Sequence, residues 1–276
     1  MKIKIIADSS SDMHAVNDDL FELVPLKIMN DQNEYVDTKD LDVKAMAEDL
    51  KNYKGKTSTS CPNTNDWINA FGGADIVYAF TITSKLSGSY NSCVLAKRIY
   101  EEENPNKKVY VVDSLTAGPA IKMLIDHLKD CLNKNMSCEE AYQSTLEYQK
   151  STHTIFSLES VNNLARNGRV SSVVAAAVGV LNLRIIGIAN EGVIDPIHKV
   201  RGDKKAIKQI MATMIEKGYD GGKVYFSHCF NEKNLELLKS TIYEKFPNAH
   251  IETMPCGGLV SFYAELGGVV VGYEGR

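Results

Sequence analysis

Ile3-Lys4-Ile5-Ile6-Ala7-Asp8-Ser9-Ser10 opens the chain as an apolar run ending in Asp-Ser, and Val109-Tyr110-Val111-Val112-Asp113-Ser114 repeats that form. Short β-branched runs of this kind, each followed by a helix-like stretch, read as buried strands entering loop-then-helix turns. Asp75 to Phe80, with Ile76, Val77, Tyr78 and Ala79, supplies a third such strand, and Val24 to Met29 a fourth. Helical patterns separate them. Val43 to Tyr53, Asn65 to Phe71, Ser89 to Tyr100 and Ala120 to Asn133 carry apolar residues at three- and four-residue spacing. Ser137-Cys138-Glu139-Glu140 is a capping box that opens a further helix to Gln149.

Strands alternating with helices predict an α/β fold, with a Rossmann-like N-terminal layer on a mostly parallel sheet, over residues 1–155. The second half, 156–276, changes character. Leu183 to Ala189 and Val193 to Val200 flank Asn190-Glu191-Gly192, a turn with glycine where positive φ is cheap, which predicts an antiparallel hairpin. Asp203 to Lys217 and Asn231 to Phe246 read as helices; Lys223 to Ser227 and His250 to Pro255 read as strands. The expectation is a smaller C-terminal α+β domain with a mixed sheet. Only the extreme C-terminus has a disorder-like composition.

The chain has 276 residues, 44% of them hydrophobic, which is ample for one large or two medium cores. Net charge is −4 and no basic stripe is present, which argues against nucleic acid as partner. The opening residues run straight into a strand pattern, without the apolar h-region and cleavage site of a signal peptide. The most apolar stretch, Val173 to Ile188, is rich in Ala and Gly, carries Arg184 and falls short of a bilayer span. It reads as buried protein, not as a membrane segment. Six cysteines lack any C-x-x-C pairing, so they read as small buried hydrophobes, and no metal site is expected. Together these features predict a cytoplasmic protein.

Hydroxyl clusters recur at predicted strand ends: Ser9-Ser10-Ser11, Thr57-Ser58-Thr59-Ser60, Ser84, Ser87 and Ser89 around Gly88, and Ser114 with Thr116. In an open parallel sheet the carboxyl ends of the strands share one edge, where ligands bind. Hydroxyls and helix N-termini present donors there, which suits an anion such as a carboxylate or phosphate. Ser and Thr are also the preferred helix caps, and Asp8 with Ser9, Ser10 and Ser11 reads that way. Thr57-Ser58-Thr59-Ser60 and Leu86-Ser87-Gly88-Ser89-Tyr90 are longer than a cap needs, and Gly88 lets backbone approach a ligand closely. Arg169, after Gly168 as a helix C′ residue, and Arg201, at the end of the hairpin, each read on their own as solvated surface arginines.

Catalytic patterns fail one by one. Gly55-Lys56-Thr57 lacks the first glycine of a Walker loop, since Leu50 stands there. No G-x-S-x-G elbow exists, and the six histidines show no metal spacing. His228, after a predicted strand, reads as structural.

At these residues the chain resembles the DegV family. Ile5 to Asp12 resembles its first-strand motif, and Lys56 to Pro62 its Thr-Ser-x-Pro-Ser-Pro loop, with Ser60 and Cys61 in place of Pro and Ser. Ile82 to Tyr90 resembles its Ser-x-Leu-Ser-Gly-Thr-Tyr motif, and Leu164 to Val170 its Leu-x-x-Gly-Gly-Arg-Ile element. Asn182 to Ile186 and Val200-Arg201-Gly202 match its later core motif. The resemblance implies the EDD fold and one long-chain fatty acid in a tunnel between two domains. It implies that Thr57, Ser58, Ser87 and Gly88 surround the carboxylate, while Arg169 and Arg201 lie near the head group or face a kinase. It also implies a carrier role without catalytic residues or cofactor, presenting the acid to an ATP-dependent fatty acid kinase. Near the C-terminus the family has a His-Thr-Gly-Pro-Gly stretch; here Tyr263 takes the histidine position, a donor without charge near neutral pH. Two rival readings remain. One is a phosphotransferase or acyl-transfer enzyme using the same hydroxyls, which would need a base beside Ser58 or Ser87. The other is a regulatory sensor that changes partners on binding lipid.

Overall fold

The computed structural model describes residues 1–171 and 182–276. Four strands, β1 (Ile3–Asp8), β2 (Phe21–Val24), β6 (Ile76–Thr81) and β7 (Lys108–Asp113), form an all-parallel sheet in the order β2-β1-β6-β7. Side chains alternate across a strand, so each strand feeds two layers. Ile5, Tyr78, Phe80, Tyr110 and Val112 pack on one side with α4 (Pro119–Asn133) and α5 (Cys138–Gln149). Ile6, Val77, Ala79, Val109 and Val111 pack on the other with α2 (Thr64–Phe71) and α3 (Ser89–Glu103). The capping box at Ser137 and Glu140 is present as the sequence predicts, and α2 has a second one from Asn63 and Asp66.

The expected strand at Val24 to Met29 is instead two. Pro25 has no N–H to give a ladder, and the chain turns there. After it, β3 (Lys27–Met29) leaves the parallel sheet and pairs antiparallel with β4 (Glu34–Val36) and with β5 (Ser58–Ser60). Helix α1 (Val43–Asn52) lies between β4 and β5 in the chain.

The second half builds a six-stranded mixed sheet, β10-β9-β8-β13-β11-β12. Its strands are β8 (Thr152–Leu158), β9 (Leu183–Asn190), β10 (Val193–Arg201), β11 (Lys223–His228), β12 (His250–Pro255) and β13 (Val269–Glu274). Strand β8 contains residues 155 and 156 and belongs whole to this sheet, so a border drawn by sheet falls before Thr152. The predicted hairpin is β9–β10, and its turn residues Glu191 and Gly192 both have positive φ, 48° and 85°. Helices Asp203–Glu216 and Glu232–Lys245 cover one face through Ile207, Met211, Leu235 and Leu238. The expected looseness of the extreme C-terminus is not found. Val269–Glu274 is strand β13, buried between β8 and β11, because three consecutive valines fill both faces, Val269 and Val271 one core and Val270 the other.

The two sheets share α4. One side of it packs on the parallel sheet, and its Ala120 backbone lies so close to β13 that a Cβ on Gly272 would collide with it. The other shared element is the short helix Gly258–Ala264, which packs against β3, α1 and the turn Ser9–Ser11. Of the apolar stretch Val173 to Ile188, read above as buried protein, the part up to residue 181 lies outside the described residues. From Leu183 on it is strand β9. All six cysteines are free thiols. Among the described residues no helix is long and apolar enough to cross a membrane.

Candidate functional site

Where the carboxyl edge of the parallel sheet meets the second sheet there is a cavity with about 880 Å³ of empty space, its mouth included. Ile82 and Thr83 after β6, and Thr116 and Ala117 after β7, form its floor, as the strand-edge rule predicts. Phe156, Leu158, Val193 and Val270 come from the second sheet. Leu259, Val260, Tyr263 and Ala264 come from helix Gly258–Ala264.

A polar fringe interrupts this apolar lining. The Thr59 hydroxyl and the Tyr263 phenol are 2.8 Å apart. The Arg169 guanidinium lies 5.8 Å from the Tyr263 ring centroid and donates to the Leu86 carbonyl at 3.3 Å and to the Asn167 carbonyl at 2.5 Å. Ser87, next in the chain to Leu86, lines the cavity and accepts from the Ser89 N–H at 3.3 Å. Arg169 is aimed by a helix stop: α6 (Asn162–Arg166) ends with Gly168 at φ 74°, and the Gly168 and Arg169 N–H groups close back on Ala165 and Leu164. Burial raises the Tyr263 phenol above its usual value, while Thr59 and Arg169 pull the other way, so it stays a neutral donor at cellular pH. Among the described lining residues, Arg169 carries the one fixed positive charge.

Of the residues singled out from sequence, Ser87, Arg169 and Tyr263 meet in this fringe. Thr57 sits just ahead of β5, its hydroxyl buried and without a partner among the described residues. Ser58 pairs in β5 with Met29 and does not line the cavity. Gly88 is the exposed N-cap of α3 at φ −75°, a conformation open to any residue, and a Cβ there would touch the Cys61 Sγ at 3.2 Å. Arg201 ends β10 opposite Leu183, exposed and away from the lining. Asp8, Ser9 and Ser10 act as caps and ties: Asp8 accepts from Ser10, from the Ile82 N–H at 2.9 Å and from the Ser89 hydroxyl at 2.6 Å.

Of the Thr57-Ser58-Thr59-Ser60 cluster it is Thr59 that lines the cavity. Mid-strand alternation separates it from Ser58 and Ser60, and that is the signal that singles it out. Among the described residues no His, Asp or Glu hydrogen-bonds Ser58 or Ser87, and no group of three or more His, Cys, Asp or Glu side chains could hold a metal.

The family model described as an uncharacterised protein of the DegV family matches residues 2–275. The chain belongs to the DegV family. A DegV domain-containing protein of Streptococcus gordonii is 38% identical over 279 residues, covering 99% of each chain. A DegV family protein from Eubacterium eligens, solved loaded with heptadecanoic acid, is 36% identical, with a TM-score of 0.97 over 99% of this chain and 100% of that one. The Streptococcus pneumoniae fatty acid kinase (Fak) B3 protein, solved loaded with linoleic acid, is 38% identical, with a TM-score of 0.97 over the whole of both chains.

Proposed function

We propose that this chain binds one long-chain fatty acid in the cavity between its two halves, as a carrier without catalysis of its own. The observation that carries the reading is the pairing of an apolar cavity with a fringe of donors, Thr59, Ser87, Tyr263 and Arg169. A carboxylate accepts only, and each buried methylene contributes about 0.8 kcal/mol, so head group and tail each find their complement. The solved DegV relatives loaded with heptadecanoic and linoleic acids support it.

In this reading the acid's oxygens sit among Thr59, Ser87 and Tyr263 and are offset in charge by Arg169; Thr57, Ser58 and Gly88 shape the loops behind them. The border between head-group half and closing half lies just before Thr152, where β8 begins. The exposed Arg201 faces a fatty acid kinase that receives the acid, and the protein works in the cytoplasm with no cofactor. Organic extraction of purified protein followed by mass spectrometry tests the proposal. A long-chain fatty acid at near-equimolar amount is expected, and folded protein that neither carries one nor binds added oleic acid would refute it.

A further inference from the structure

Helix Gly258–Ala264 brings Tyr263 and three apolar side chains to the cavity, yet its first N–H groups are held from the other half of the chain. Asp12 accepts from the Gly257 N–H at 2.7 Å. The two Asp37 oxygens accept from the Gly258 and Leu259 N–H groups at 2.6 and 2.9 Å. Both carboxylates are buried, Asp37 completely. His14 Nε2 lies 2.8 Å from Asp37 Oδ1, and its ring fills the space that a Cβ on Gly257 would need. Asp12 is held in the left-handed region at φ 59°. Its second oxygen and the Ser227 hydroxyl of β11 are both buried, have no hydrogen-bond partner among the described residues, and flank Gly118 together.

We propose that Asp12, His14 and Asp37 are positioning residues that latch the cavity wall: they fix helix Gly258–Ala264, and with it Tyr263, so that the protonation of Asp12 and His14 sets how readily a fatty acid enters and leaves. The consequence for ligand exchange rests on the fatty-acid reading; the latch itself does not.

The latch has a sign with pH. Burial pushes the Asp12 carboxyl up to about 7, with the charge of Asp37 adding to it, against the opposing pull of the Gly257 N–H and of His14. Burial acts downward on His14, but the hydrogen bond and charge of Asp37, with the charge of Asp12, outweigh it and raise it. The other ionisable groups packed round Asp12 are the thiols of Cys229 and Cys256, which burial raises and keeps neutral. A carboxyl raised in this way favours the fold while neutral, and that contribution is lost as pH climbs from its ordinary value through about 7. A raised imidazole favours the fold while charged, and its contribution is lost as pH rises through its folded value. Both run the same way, so the latch is firm in mild acid and loosens on the alkaline side of neutrality.

Asp12→Asn keeps the acceptor for Gly257 and gives Ser227 a permanent donor. The test is hydrogen–deuterium exchange of the peptide covering residues 257–264, corrected for intrinsic rate, at about pH 6 and about pH 8.5. Protection in the unchanged protein should fall by about tenfold or more between the two, and by much less in Asp12→Asn. Release of bound oleic acid into lipid vesicles should follow the same pattern. Should Asp12→Asn not fold, His14→Gln serves: it removes the imidazole's share alone, so protection at about pH 6 should be lower than in the parent and should fall less between the two pH values. Equal pH dependence in variant and parent, or an equal loss of protection in β6, would overturn the latch. Failure of oleic acid to bind at all, with the exchange pattern intact, would remove the fatty-acid reading and leave the latch standing.

Discussion

Thr59 and Tyr263 stand 204 residues apart in the chain, and their hydroxyls meet at 2.8 Å on the wall of the cavity. One is brought by β5, the other by helix Gly258–Ala264, so the donor pair exists only when the two halves are closed on each other. Tyr263→Phe removes one donor and keeps the ring in its place beside Phe262. A hydrogen bond to a charged group contributes about 1.5–3 kcal/mol, so oleic acid should bind tenfold or more weakly, with the melting temperature almost unchanged. Calorimetric titration of both proteins checks this; equal affinity would place the head group elsewhere in the cavity.

Arg169 makes the charge argument separable from the hydrogen-bond argument. Its guanidinium is fixed by the Leu86 and Asn167 carbonyls, over the Tyr263 ring. Arg169→Gln retains a donor and removes the charge. Oleic acid should lose about tenfold or more in affinity, whereas methyl oleate, which carries no charge, should bind parent and variant alike. A comparable loss for the ester would mean that Arg169 acts on the shape of the site alone.

The parallel sheet was legible because β1, β6 and β7 are local patterns: apolar runs closed by polar turns, with helices between. The capping box at Ser137 and the glycine stop at Gly168 were legible for the same reason. What escaped depends on distant partners. No local pattern marks Gly258 as the start of a cavity wall or Val269 as the start of a central strand; Tyr263 was legible through the family resemblance alone. Asp37 and Asp12 bind N–H groups more than 220 residues away. The motif at Lys56 to Pro62 points to Thr57 and Ser58, but a motif names a stretch, while strand geometry decides that Thr59 is the side chain that faces the cavity.

The tip of the β9–β10 hairpin closes over the cavity at Gly192, which has φ 85° and would press a Cβ into the Thr83 hydroxyl. Gly192→Ala combines a left-handed backbone, costing about 1–2 kcal/mol, with that collision. The melting temperature should fall by several degrees, at about 2–4 °C per kcal/mol for a chain of this class, and oleic acid should leave faster. Thermal unfolding and a release assay check the two effects; an unchanged melting temperature would show that the turn relaxes freely.

Thr116 and Thr154 form a hydroxyl pair 2.6 Å apart in the same wall, one from the edge of the parallel sheet and one from β8. The Thr116 hydroxyl is also 3.3 Å from the Ala117 carbonyl, so with its proton donated there it accepts from Thr154. Thr116→Val then leaves the buried Thr154 hydroxyl without a partner, at a cost of about 1–3 kcal/mol. Thr154→Val leaves Thr116 its carbonyl and should cost less. Replacing both removes the polar pair without an orphan, so the double variant should be more stable than the sum of the singles predicts. Denaturant unfolding of the four proteins measures that coupling directly. Additive losses would mean that each hydroxyl is satisfied independently, and that the two halves of the wall are not tied together at this point.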